Sequence, residues 1–392
     1  MFINQAFKSL HEWWRYLVGL IIVFIVTQLA SLPLVFVGIF NINKAGGDIT
    51  EIGNLEMLSK VIESNTLFFL LLFPFAIGLI ALLLVIKYFH KQSLLKATTT
   101  RKKIDWKRFW AGFALIGITT ITITLFDFYT NPDSYVVQFN WVPFLILAVI
   151  AIILVPFQTS LEEYLFRGYL MQGIGTATVS KKFPFVFSYL LVSTVLLVLV
   201  SNYFTIDILF LGLLVGFLIV LLFIIINASW IESLISSSRY RLFHAALKRN
   251  FTPLFITSVV FGLLHLSNPE VDKLGNLVMI YYIGTGFLLG IMTLIDEGME
   301  LALGFHLGNN LVAALLVTAD WTVFQTNSIL KDISDPSMSL EAILPVFIIY
   351  PIYLLILGKI FKWKNWKEKL FGKIEKPIEI IEETPNIANY EH

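Results

Sequence analysis

The stretch WVPFLILAVIAIILVPFQTSLEEYLFRG, Trp141 to Gly168, carries no charge before Glu162 and then sets Glu162, Glu163 and Arg167 within six positions. About 20 mostly apolar residues cross a bilayer as a helix, so this stretch reads as a spanning helix that continues into a charged end. Outward from it the same signal recurs. Candidate spans are centred near residues 28, 78, 117, 149, 192, 218, 259, 286, 309 and 350. Hydrophobic residues make up 57% of the 392 and charged residues only 14%, more apolar surface than a soluble core of this length needs. The expected fold class is therefore an all-α, polytopic transmembrane helix bundle of about ten spanning helices, with the lipid bilayer as its solvent.

The first apolar run, Leu17 to Phe40, is too long for a signal-peptide core and lacks a small-residue cleavage site, so it is expected to remain as an anchor. Net charge is +1, with Lys and Arg gathered at segment ends instead of on one basic face, which argues against a nucleic-acid partner. The chain has no cysteine. Disulfides, thiol nucleophiles and thiolate metal sites are thereby excluded, leaving carboxylates, imidazoles and hydroxyls for chemistry.

Loop charge gives an orientation. Between Lys87 and Arg108 stand eight Lys/Arg against one acid, Asp105, which marks a cytoplasmic loop and by counting places both termini inside. The turn holding Asp296, Glu297 and Glu300 dissents, as an acidic turn on that same side. Four segments are expected: N-terminal transmembrane helices over 1–140; a core over 141–320 with an extra helix pair at about 183–250; a last spanning helix within 321–365; and a polar cytoplasmic tail over 366–392 with little structure of its own. Trp230 to Asn250 is basic and amphipathic and suits the membrane interface. A protein partner would dock through 183–250 or the tail. A prokaryotic inner membrane is the expected location.

Ionisable residues inside spans are costly unless paired or wetted, so they point to function. Glu163 and Arg167 are four apart with the acid first, the favourable direction for an ion pair, while Glu162 lies about 100° further round and stays freer to act as a base. A charged cluster at the membrane boundary is the plain alternative. A second patch, Phe261-Gly-Leu-Leu-His265, ends an apolar helix before Asn268-Pro269, where a histidine is otherwise a capping residue. In a third, Gly304-Phe305-His306-Leu307-Gly308-Asn309-Asn310, His306 and Asn310 share a helix face, a pair that could also merely bridge helices. Together the patches supply two carboxylates, two imidazoles, an amide and a guanidinium, sufficient for hydrolysing a peptide bond.

Glu-Glu-x-x-x-Arg at 162–167, Phe-x-x-x-His at 261–265 and His-x-x-x-Asn at 306–310 resemble, in order, the three motifs of the CAAX prenyl protease and bacteriocin-processing (CPBP) family, related to the Rce1-type proteases. The resemblance covers about 141–320. It implies an intramembrane endopeptidase in which Glu162 and His265 activate water, His306 and Asn310 stabilise the oxyanion, and Glu163 with Arg167 supports the site. The roughly 90 residues between Arg167 and Phe261 depart from the compact pattern and leave substrate and access route undefined. The substrate would be a peptide or a membrane protein. A non-catalytic scaffold that keeps the fold, or an ion- or proton-coupled transporter, is the competing reading.

No His-Glu-x-x-His motif occurs, because His11-Glu12 is followed by Trp13-Trp14-Arg15, and no Gly-x-Ser-x-Gly elbow is present. A divalent metal such as zinc on Glu162, His265, His306 and Asn310 stays open beside a version without metal. Gly-x-x-x-Gly at 212–216 and 286–290 predicts close helix packing. Depth poses a difficulty: with Glu162 and His306 near the inner face, His265 would lie about 20 Å deeper at 1.5 Å per residue. Either the helix carrying His265 begins early, near Arg241, or the spans tilt around a funnel-like, water-filled cavity, which would fit a protease receiving substrate from the cytoplasmic side.

Overall fold

The computed structural model describes residues 1–203, 208–335 and 340–377. Its helices are α1 (Trp13–Ala30), α2 (Leu32–Lys44), α3 (Leu55–Val61), α4 (Ser64–Leu84), α5 (Leu94–Thr98), α6 (Trp106–Thr130), α7 (Trp141–Glu163), α8 (Met171–Ala177), α9 (Phe183–Tyr203), α10 (Ile208–Ile226), α11 (Trp230–Ser236), α12 (Ser238–Leu247), α13 (Phe251–Leu263), α14 (Pro269–Leu274), α15 (Val278–Asp296), α16 (Glu300–Leu316), α17 (Leu340–Ile360) and α18 (Trp366–Phe371). The chain is an all-α bundle, and a helix occupies each of the ten centres read from the sequence. By length and composition, six of the described helices can cross a membrane, or seven if Leu214–Ile226 and Trp230–Ser236, bent by 72°, make one span. Phe251–Leu263 and Glu300–Leu316 are apolar but shorter.

Three short strands, β1 (Tyr135–Val137), β2 (Val317–Ala319) and β3 (Leu330–Asp332), form a sheet ordered β1-β3-β2, with β3 antiparallel to β1 and parallel to β2. It joins the ends of α6 and α16 to the start of α7. The periodicity of the apolar runs gave no sign of it.

Two faces are thus defined. On one, Phe2 and Ile3 share a core with Met171, Leu254, Leu294, Met299 and Ile374, while the Asn250 amide donates to the Gly372 carbonyl at 3.0 Å. The N-terminal segment and the described end of the chain therefore meet on the same side. The strands lie at the other ends of α6 and α16. The 25 residues of α6 put about 37 Å between the faces at ~1.5 Å per residue.

The terminal face explains the dissenting acidic turn. Arg101 reaches Asp296 at 2.6 Å and Glu300 at 3.0 Å, Arg108 reaches Asp296 at 2.9 Å, and the Trp363 indole donates to Asp296 at 2.7 Å. The acids are neutralised by arginines of the basic loop, so their charge carries no separate topological message. The same face corrects the tail. Residues after Trp366 form α18, Lys369 donates to the Ile295 carbonyl at 2.7 Å, and Ile374 is fully buried. Residues 378–392 lie outside the described residues.

Glycines set the closest helix approaches, as expected where lipid offers no hydrophobic drive. On α16, a Cβ at Gly304 would fall on the Phe109 carbonyl oxygen of α6, and one at Gly112 on the Leu301 carbonyl. On α15, a Cβ at Gly286 would stand 2.6 Å from the Ser258 carbonyl of α13. Packing therefore explains 286–290. Gly216 instead faces open space, so the 212–216 expectation fails there: a spacing alone cannot say whether a partner helix is opposite.

Candidate active site

α7 does not end at Glu163. A π-helical stretch, Tyr164–Leu170, carries it into α8, giving one rod from Trp141 to Ala177. Such insertions of wider turns gather at functional sites. Pro156 lies inside α7, where it removes one helical hydrogen bond. Glu162 and Glu163 consequently stand in mid-rod, well away from its end at the terminal face.

That position removes the depth difficulty. Glu163 lies fourteen residues before Ala177, and His265 fourteen residues after the start of α13 at Phe251, about 20 Å along each helix. The two helices run side by side, with Phe166 edge-on to Phe261 at 5.4 Å and the Arg167 guanidinium 4.4 Å from the Phe261 ring centre. No early start near Arg241 is needed.

Glu163 and Arg167 are fully buried and paired at 2.9 Å, and Arg167 also donates to the Gly286 carbonyl at 3.1 Å. The carbonyl is reachable because Gly286 lets α13 and α15 close together. His306 Nδ1 stands 2.9 Å from the same Glu163 oxygen, Oε1, which thereby accepts from an arginine and an imidazole. With Nδ1 donating, Nε2 is turned toward Glu162 Oε2 at 3.6 Å. That oxygen is buried and has no hydrogen-bond partner. Buried polar atoms seldom lack partners, so Oε2 is a carboxylate oxygen left free to accept from a further donor.

Gln158, one turn before Glu162, completes the cluster. Its amide donates to Glu162 Oε1 and its carbonyl accepts from Asn310 at 3.0 Å, while Asn310 stands 3.5 Å from His306 Nε2. Asn309 donates to Asn310 Oδ1 at 3.0 Å. The sequence reading passed over Gln158, although its spacing of four from Glu162 mirrors that of His306 and Asn310 and was a usable signal.

His265 is brought near without joining this network. Its Nδ1 donates to the Phe261 carbonyl at 2.8 Å, and its ring stacks on Tyr282 at 4.4 Å. The Phe261 ring lies 5.0 Å from His265 and 5.9 Å from His306, centre to centre, so one phenyl group contacts both imidazoles. Tyr282 was also missed, since a tyrosine in an apolar helix reads as core.

Of the six residues singled out, five share one hydrogen-bonded and ionic cluster and His265 flanks it. The four-residue metal set is not assembled. Among the described residues no group of three His, Cys, Asp or Glu side chains stands close enough to hold a metal ion, and His265 and His306 each commit Nδ1 to a protein oxygen.

Exposure around the cluster is one-sided. Toward the terminal face, Arg167, Met171, Thr293, Met299, Glu300 and Thr98 are all buried. Toward the strands, His265, Asn268, Glu270, Asn309, Asn310 and Ala313 are half-buried. The expected opening on the terminal side is therefore absent from the described residues, because the N-terminal segment, the 98–101 loop and the 296–300 turn are packed beneath the site.

Comparison with known proteins gives a family likeness over part of the chain. Residues 215–312 match the family described as type II CAAX prenyl endopeptidase Rce1-like, a match that includes His265, His306 and Asn310 and begins after Glu162, Glu163 and Arg167. The uncharacterized protein YyaK of Bacillus subtilis (strain 168) is 26% identical over 245 residues, which is 62% of this chain and 58% of that relative, so the match spans less than two thirds of the relative's length. No solved structure matches. The chain is thus a multi-pass membrane protein that carries an Rce1-like region at residues 215–312.

Proposed function

We propose that the chain is an integral-membrane endopeptidase that hydrolyses a peptide bond without a metal, with Glu162 as the base. The observation that carries the reading is the buried, unpartnered Glu162 Oε2 facing Nε2 of a His306 whose other nitrogen is fixed by the Glu163–Arg167 pair. A water bound against Oε2 gives its proton to Glu162 while its oxygen adds to the carbonyl carbon. His265, whose Nδ1 donates to the Phe261 carbonyl, flanks the site and keeps Nε2 free to engage the water or the bound peptide. The oxyanion is met by the Asn310 side-chain amide, with the His306 ring beside it. Collapse of the adduct breaks the C–N bond as Glu162 returns the proton to the leaving amine. Glu163 and Arg167 touch no reacting atom and act as positioning residues. A prokaryotic inner membrane with the terminal face cytoplasmic suits the basic 87–108 loop.

The test is peptide profiling by mass spectrometry of cells carrying wild type, Glu162→Gln or His306→Ala at equal protein level. Loss of a cleaved product by at least about a hundredfold in both variants is expected. Undiminished cleavage in both would overturn the reading. Chelator should leave cleavage unchanged; loss restored only by zinc would overturn the metal-free version.

A further inference from the structure

The sealed floor and half-open far side of the site bear on where a peptide comes from. His306 and Ala313 are seven apart on α16, two turns, so Ala313 continues the His306 face toward the strands. Opposite it α13 ends and α14 begins, and between them lies the loop from Asp320 to Thr326. That loop is fixed: Thr326 donates to the Ala314 carbonyl at 2.8 Å, Phe324 packs on Phe68 at 5.1 Å, and the Val323 amide donates to Glu270 at 2.8 Å. At this doorway two buried polar atoms have no partner among the described residues, the acceptor Glu270 Oε2 and the donor Trp321 Nε1. One acceptor on α14 and one donor on the loop that the Val323–Glu270 bond ties to it are the complements of the N–H and C=O that an extended peptide presents.

We infer that the peptide substrate reaches Glu162 from the face opposite the chain termini, passing between the His265 end of α13 and the Asp320–Thr326 loop, with Glu270 and Trp321 receiving its backbone. The inference rests on the endopeptidase reading for the word substrate, but the route is a property of the fold. It assigns the substrate class: a peptide, or the end of a membrane-spanning segment, exposed on the far face, not one presented beside the basic loop.

The natural chain has no cysteine, so single substitutions report unambiguously. Ser93→Cys, exposed on the terminal face, Ser267→Cys, exposed beside His265, and Ala313→Cys are placed separately in the full chain. Each is treated in sealed membrane vesicles of both orientations with a permanently charged, membrane-impermeant methanethiosulfonate. Ala313→Cys is expected to react in the orientation that labels Ser267→Cys and to stay unreacted in the one that labels Ser93→Cys. Reaction from the Ser93 face, or from neither, overturns the route. Should Ala313→Cys fail to assemble, Asn309→Cys one turn inward makes the same distinction. Hydrolysis is not measured, so a failed route and a failed endopeptidase reading are separable.

Discussion

The floor and the mouth of the site hold similar residue types in opposite condition. On the floor Glu163 and Arg167 are fully buried, and Glu163 Oε1 accepts from Arg167 and His306 together. At the mouth Glu270 has one oxygen bonded and one bare, and His265 meets only a carbonyl and two aromatic rings. Burying a charge costs several kcal/mol unless it is paired, so the floor persists only by pairing its charges. The mouth is half-wet and tolerates open valences. The adjacent carboxylates straddle this divide: Glu163 is held in the frame, and Glu162, with one oxygen bare, is the one left free for the chemistry proposed.

The largest effect should come from breaking the floor. Arg167→Ala leaves the Glu163 charge buried and is expected to cost about 3–5 kcal/mol, read as a lowered thermal midpoint in detergent, whereas Arg167→Met combined with Glu163→Gln should recover much of the loss. An Arg167→Ala midpoint equal to wild type would show that the floor is wetter than its burial implies. Gly304→Ala comes next. The new methyl falls on the Phe109 carbonyl and must push α6 from α16, at about 1–3 kcal/mol, with the His306–Glu163 contact disturbed because α16 carries His306. The same change at the exposed Gly216 should be neutral or slightly stabilising.

The smallest effect sharpens the comparison through pH. Burial holds the Glu270 carboxyl above its usual range, against the pull of the Val323 amide. The folded chain then binds that proton more tightly than the unfolded one, so its contribution is fully present below the ordinary carboxylate pKa and is lost as pH rises through the folded value. His90, buried beneath the floor between the Leu10 carbonyl and the Tyr169 hydroxyl, is pushed below its usual value by burial. Its contribution is present above the ordinary imidazole pKa and is lost as pH falls through the folded value. Glu270→Gln should remove the fall in thermal midpoint that sets in as pH rises above the ordinary carboxylate pKa, and His90→Gln the fall that sets in as pH drops below the ordinary imidazole pKa; unchanged profiles in both variants would contradict the assignment.

Much of this was legible in the residues, for identifiable reasons. The ten apolar centres became helices because a bilayer forces every backbone group into an internal hydrogen bond. The Glu163–Arg167 pair followed from a spacing of four, and Glu162 reached His306 and Asn310 once the motifs were read together. The errors came from tertiary facts. The reading put the charged cluster near the inner face, although a buried and paired Arg167 can sit in the middle of a helical rod. The acidic turn looked anomalous until arginines nearly two hundred positions earlier were found upon it. The tail looked unstructured by composition, yet α18 and Ile374 are held by partners distant in sequence. No local pattern announces the π-helical residues, since their wider turn depends on what Arg167 and Tyr169 reach.

That π-helical stretch also acts as a phase shifter. Residues beyond it face directions that an unbroken α-helix would not give them, so the spanning half of the rod can be oriented for the site while α8 turns Gly173 toward Tyr16 and Gly175 toward Ile3. The two halves keep separate angular references on one backbone. Deleting a single residue between Tyr164 and Leu170 would couple them again, leaving Glu162 on its face and rotating the whole terminal-side platform out of register.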